Sequence, residues 1–274
     1  MLGAQEIRSL ANSIGLKPDK RRGQNFVIDP NTITRIVKLA KIQPTDVVLE
    51  VGPGLGSLTL GLLDTGASVI AVEVDERLAA LLPQTAARHE SQANLTVIAG
   101  DALQEFDTAQ KPTHLVANLP YNLAVPILLE LLRRLPSLAH AVVMVQLEVA
   151  QRLTAKPGSE HYGAPSAKLA WHGHANLAGQ VSRNVFWPIP NVDSALVSFH
   201  RDASSRSLAM RDRCFEIIDA AFGQRRKTLR QSLSAVFGSP VAASEALRSA
   251  AIPESARGEE LAIADFLRLA EVAR

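Results

Sequence analysis

Along the first half of the chain, apolar residues fall in short unbroken runs, separated by stretches in which they recur at helical spacing. The runs are Val47–Val51, Ser68–Glu73, Leu95–Ile98, His114–Ala117 and Ala141–Val145, each too short for a helix. They lack polar alternation, which predicts strands covered on both faces, as in a parallel sheet. The spaced patterns over Ser57–Leu63, Glu76–Arg88 and Val125–Leu135 predict helices between them. Strand and helix alternating from residue 30 to about 155 predict an α/β, Rossmann-like sheet with helices on both faces. Past Leu147 the pattern changes. Ala175–Val185 and Ser194–His200 predict two later strands around the Pro-rich "FWPIPNVDS". From Arg211 onward the pattern is helical, with breaks at Gly238–Pro240 and Ile252–Gly258. The polar stretch "HRDASSRSL" lies between, so the expected division is an α/β domain over 1–204 and a small all-α domain over 205–274.

Composition narrows the class. With 274 residues, 47% hydrophobic and 20% charged, the chain is globular and can bury a sizeable core. A net charge of +2 implies no strong field over the whole molecule, so any nucleic-acid surface must come from local clustering. The single cysteine, Cys214, excludes an internal disulfide, fits a reducing compartment and reads as a small core residue. Neither a secretory leader pattern nor a run long enough to span a bilayer is visible, so a soluble, cytoplasmic protein is expected, and a monomer. One cysteine and seven scattered histidines give no zinc spacing, so no metal is expected. His161 and His172–His174 read as surface residues.

Three strand ends carry candidate chemistry. "VVLEVGPGLGSLT" joins the first strand to a helix. Glycine lets the backbone turn tightly and approach a ligand closely. Gly52 and Gly54 fit the dinucleotide fingerprint, but its third glycine position holds Ser57. A G-x-G-x-G loop suits a ligand without phosphates. Glu73 ends the next strand, where an acid would hold ribose hydroxyls. Asp101, in "VIAGDAL", could accept from an adenine amino group; alternatively it makes a helix cap.

The fourth strand runs into "NLPYN". Proline cannot continue a sheet ladder, so the chain leaves the sheet carrying an amide and a phenol ring. A base amino group could donate to the Asn118 oxygen and to the carbonyl of Leu119 or Pro120, while the base stacks on Tyr121. Taking a base out of a helix costs a few kcal/mol, and one aromatic returns roughly 1–3 kcal/mol. A second ring would help. Phe186 in "VFWPIP" is the candidate, with core packing as the plainer reading for it and for Trp187.

"GQNF", "EVGPGLGSLT", "VEVD", "GDAL", "NLPYN", "FWPIPNVDSALV" and "AFGQRRKTLRQSL", in this order from about Arg21 to the C-terminus, resemble the ribosomal RNA adenine dimethyltransferases, most of all the bacterial small-subunit branch linked to kasugamycin sensitivity. The resemblance implies that two adjacent adenosines near the 3′ end of small-subunit (16S) rRNA become dimethyladenosines, with S-adenosylmethionine as methyl donor. It implies that Asn25, Val27 and Gly52 touch the cofactor's methionine end, Glu73 its ribose and Asp101 its adenine, with Asn118 linking cofactor and target. Val27 departs from the usual leucine of "GQNFL".

Arg225, Arg226, Lys227 and Arg230 crowd four cations into six positions without an acid among them. Lys17, Lys20, Arg21 and Arg22 form a second group before "GQNF". A solvated helix face is the usual fate of such runs; a track for RNA phosphates, on an immature 30S subunit, is the sharper expectation. Three rivals stand beside the main reading. An NAD-dependent oxidoreductase needs a third loop glycine and a residue for hydride chemistry. A non-enzymatic ribosome-assembly factor would not need Asn118, Tyr121 and Glu73 intact. The third is a large-subunit rRNA methylase of the resistance type.

Overall fold

The computed structural model describes residues 1–18, 24–87, 92–203, 207–224 and 226–272. These residues group into two compact units, 1–150 with 176–201, and 151–175 with 202–274. The expected single boundary at 204 therefore becomes three crossings.

The first unit is built on a seven-stranded sheet. Its strands are β2 (Val47–Val51), β3 (Ser68–Glu73), β4 (Leu95–Ala99), β5 (His114–Asn118), β6 (His140–Gln146), β7 (Gly173–Val181, with its first residues in the second unit) and β9 (Ser194–Arg201). The order is β4-β3-β2-β5-β6-β9-β7. β2 to β6 run parallel, and β9 returns antiparallel beside β6. Val48, Leu49, Val69, Ala71, Leu115 and Val143 are wholly buried, as unbroken apolar strands require. The chain moves from β2 to β3 on one side and later to β5 on the other. Open sheets of this kind bind ligands at that switch point, beyond the carboxyl ends of the strands.

Helices α3 (Ser57–Leu63), α4 (Glu76–Ala86) and α5 (Ala124–Arg134) fall within one or two residues of expectation; Arg88, the expected end of α4, lies outside the described residues. Three features escaped the pattern. Helix α1 (Ala4–Ser13) buries Ile7 and Ala11, four residues apart on one face. Helix α2 (Pro30–Ala40) starts on Asp29, whose carboxylate accepts the Thr32 N–H (2.9 Å), with Pro30 as the first helical residue. Two short strands, β1 (Phe26–Val27) and β8 (Phe186–Trp187), pair antiparallel. The strand expected over Ala175–Val185 ends instead at Val181, followed by a 3₁₀ turn at Arg183–Val185.

The second unit is helical. α6 (Leu147–Leu153) leads into it, and α7 (Ala164–His172), α8 (Leu208–Gly223), α9 (Leu229–Ser232), α10 (Ser234–Phe237), α11 (Pro240–Ser249) and α12 (Ile263–Val272) make up the rest. α7 joins this unit because Tyr162, Ala167 and Trp171 share a core with Phe215, Ile218, Leu247 and Phe266. The Tyr162 hydroxyl donates to the Leu261 carbonyl (2.8 Å), and Lys168 pairs with Asp219 (2.6 Å). Cys214 is fully buried there. His172, expected at the surface, is instead 5% exposed and packs edge-on to Phe215. No helix among the described residues is long and apolar enough to cross a membrane.

Candidate active site

The crevice opens at the switch point of the first unit, between the ends of β2, β3 and β5. Gly52 and Gly54 both adopt left-handed backbone, at φ +69° and +58°. A Cβ on Gly54 would stand 2.8 Å from the Phe26 ring, so only glycine lets β1 lie over the loop. Ser57, where a third glycine would stand, donates its hydroxyl to the Val27 carbonyl (2.9 Å). The departure from the dinucleotide pattern is thus a tie between loop and β1. Asn25, Val27, Gly52, Gly54, Glu73 and Asn118 all line one crevice, as does Pro120.

Two buried carboxylates set its electrostatics. Glu73 is 5% exposed and accepts the N–H groups of Gly54 and Asp75, both at 3.0 Å. Burial raises its pKa above the ordinary carboxylate value, against those two N–H groups. Glu50, 1% exposed on β2, accepts from the Thr59 hydroxyl (2.6 Å). Burial pushes it up to about 8; the Thr59 bond opposes this and the Glu73 charge adds to it. Sequence reasoning passed over Glu50, although an acid inside "VVLEV" was a visible anomaly. Asp101 is exposed just past β4, and its carboxylate accepts the Leu103 N–H (2.9 Å), which makes the turn there. Arg134 of α5 braces that turn from the carbonyls of Ala102 and Gln104.

At the other wall, the Asn118 amide nitrogen donates to the Asn25 carbonyl (3.0 Å). That bond fixes the amide's flip and turns its oxygen into an oriented acceptor. The Leu119 N–H binds the Met144 carbonyl (3.1 Å), and the Pro120 carbonyl accepts from the Leu123 N–H (3.0 Å). Of the two residues considered for the target amine, Pro120 lines the crevice with its carbonyl already bonded once, and Leu119 is 1% exposed. The Tyr121 hydroxyl lies 2.8 Å from Ser194 Oγ at the start of β9. Burial raises the Tyr121 pKa; Ser194 opposes the shift and Asp193 adds to it. Phe186 does not offer a second ring here. It is 1% exposed in the core, paired through β8 with Val27, and so takes the plainer reading. Trp187 stacks on Phe26 with ring centres 6.2 Å apart.

Residues 15–274 match the family model for ribosomal RNA adenine dimethylase. The chain belongs to that family. It is 57% identical to the Ribosomal RNA small subunit methyltransferase A of Leifsonia xyli subsp. xyli, over 98% of both chains. The protein of that name from Thermobifida fusca is 54% identical, covering 99% of this chain and 96% of the relative. Among solved structures, a dimethyladenosine transferase from Plasmodium falciparum superposes with a TM-score of 0.77 at 25% identity, over 89% of this chain and 95% of the other. The 23S rRNA methyltransferase ErmE gives 0.68 at 27% identity, over 90% and 99%. Members of this family use S-adenosylmethionine, and the crevice suits it. Its wall combines the glycine loop with two buried acids, Glu50 and Glu73. Among the described residues no group of three or more His, Cys, Asp and Glu side chains could hold a metal ion.

Of the expected RNA contacts, Arg226 and Lys227 are exposed. Arg230 is half exposed and lies 4.0 Å from Glu254, so the cluster does have an acid beside it in space. Lys17 is exposed. Lys20, Arg21, Arg22 and Arg225 lie outside the described residues.

Proposed function

We propose that this protein transfers methyl groups from S-adenosylmethionine to the N6 amines of two adjacent adenosines near the 3′ end of small-subunit rRNA. The observation that carries the reading is the Asn118 amide, bonded through its nitrogen to the Asn25 carbonyl in the crevice that the glycine loop also lines. The family membership and the small-subunit name borne by relatives above 50% identity support the substrate. A large-subunit target, as in ErmE's name, has weaker support at 27% identity.

Bound S-adenosylmethionine supplies a methyl group on a positively charged sulfur, already activated for transfer. The chain's task is alignment, worth several kcal/mol and roughly 7–11 at best. Asn118 Oδ1 and the carbonyl of Leu119 or Pro120 accept the two N–H bonds of the target amine, which leaves the nitrogen lone pair facing the methyl. The cofactor, held by the residues of this crevice, would supply the methyl and take the C–S electron pair onto its sulfur as the target nitrogen gains the N–C bond. The proton on the newly charged nitrogen is held by the same acceptors until solvent removes it. Glu73 would take the ribose hydroxyls and Asp101, just past the end of β4, the adenine amine. Tyr121 stacks on the target base.

We further propose that the helical unit contacts rRNA through Arg225, Arg226, Lys227 and Arg230, and that Arg21 and Arg22 of the other unit add contacts of their own. On this reading the protein works as a cytoplasmic monomer on an immature 30S subunit. The test is to incubate it with labelled S-adenosylmethionine and undermethylated small or large subunits, then map the modified nucleotides. Label on two neighbouring adenosines of small-subunit rRNA is expected. Label confined to large-subunit rRNA would overturn the reading.

A further inference from the structure

Helix α1 precedes the span of the family match, which begins at residue 15. Its sequence carries no ligand motif. Yet Ile7 lines the same crevice as Gly52, Glu73 and Asn118, and none of its surface is exposed. Leu2, Ile7, Ala11 and Leu16 belong to the same core cluster as Phe26, Val27 and Leu78. The Glu6 carboxylate caps the helix from within by accepting the Gly3 N–H (2.9 Å). Among the described residues no backbone hydrogen bond ties α1 to the sheet; apolar side chains hold it.

We infer that α1 is a cofactor-affinity element, backing the crevice through the fully buried Ile7 and bracing β1 against the glycine loop. The inference rests on the assignment of the crevice to S-adenosylmethionine. An apolar backing keeps water from Glu73 in the same crevice, which strengthens its attraction for a cationic ligand. Because β1 supplies Val27, follows directly on Asn25 and backs Gly54 through Phe26, a loosened α1 also loosens the loop. The coupling is reciprocal: a ligand that binds more tightly when α1 is docked must also hold α1 down.

The test uses the full chain with Ile7→Ala, and Leu247→Ala in the second unit's core as a control for general destabilisation. Titration with S-adenosylhomocysteine should show Kd raised about tenfold for Ile7→Ala and unchanged for Leu247→Ala. At saturating S-adenosylmethionine, kcat of Ile7→Ala should stay near the parent value while KM rises. Hydrogen exchange should show α1 amides of the parent protected on adding S-adenosylhomocysteine. If Ile7→Ala does not fold, Ile7→Val decides, with Kd raised about threefold. A folded variant whose Kd equals the parent's, with α1 exchange indifferent to ligand, would overturn the inference. A parent that fails to bind S-adenosylhomocysteine would instead overturn the cofactor assignment.

Discussion

The two walls of the crevice are built differently. On the β2–β3 side, glycine backbone and buried acids do the holding: left-handed glycines, a loop N–H on Glu73, and Glu50 beneath. On the β5 side, side chains do it, each tied by one bond to a distant segment: Asn118 to Asn25 and Tyr121 to Ser194. A wall of backbone and buried charge suits a ligand that must be held. Single oriented side chains suit a group that must be aimed. The division predicts that substitutions will separate affinity from turnover.

Asn118→Ala should break the aiming wall most. Turnover should fall at least about a hundredfold, the cost of a misplaced reacting group, with cofactor Kd within a few-fold. Single-turnover rates and calorimetry check both halves. Glu73→Ala should do the opposite, raising cofactor Kd roughly 10–100-fold through the loss of a buried hydrogen-bonded charge and the loosening of Gly54. Unchanged affinity would remove Glu73 from the holding wall.

Tyr121 sharpens the comparison. Tyr121→Ala should lose about tenfold or more in rate, since stacking on one ring is worth roughly 1–3 kcal/mol. Tyr121→Phe keeps the ring but loses the Ser194 bond, so a drop of about fivefold is expected, matched by Ser194→Ala and not increased in the double variant. Additive losses would mean that the hydroxyl acts on the substrate and not through Ser194.

Glu50 gives the holding wall a pH signature. Its pKa is about 8 in the folded protein against an ordinary 4.5, so charging it on unfolding favours the unfolded chain as pH rises through that window. Glu50→Gln, which resembles the neutral form, should gain Tm over the parent progressively from pH 5 to pH 8 and then level off. A difference independent of pH would contradict the raised pKa. The smallest effect concerns RNA: Arg226→Ala with Lys227→Ala should lower the salt slope of subunit binding by roughly 0.7–0.9 per lost phosphate contact, with cofactor affinity unchanged.

The sheet was legible because its strands are unbroken apolar runs, and the glycine loop because glycines and acids recur at strand ends. What stayed hidden depends on partners far along the chain. No local signal says that β1 pairs with β8, 161 residues later (Phe26 with Trp187), or that this pairing buries Phe186. α1 and α7 are short and mixed in composition, and become helices with a purpose only once Ile7 and Trp171 find their cores. The cation cluster read as acid-free because Glu254 lies 24 positions beyond Arg230 and reaches it only in the fold.

Methyl transfer measured against cofactor concentration, for Asn118→Ala and Glu73→Ala side by side on undermethylated small subunits, tests the division of labour most directly. Raising S-adenosylmethionine well above its Kd should restore Glu73→Ala toward the parent rate and leave Asn118→Ala inactive. Rescue of Asn118→Ala by cofactor, or a Glu73→Ala plateau as low as that of Asn118→Ala, would contradict it.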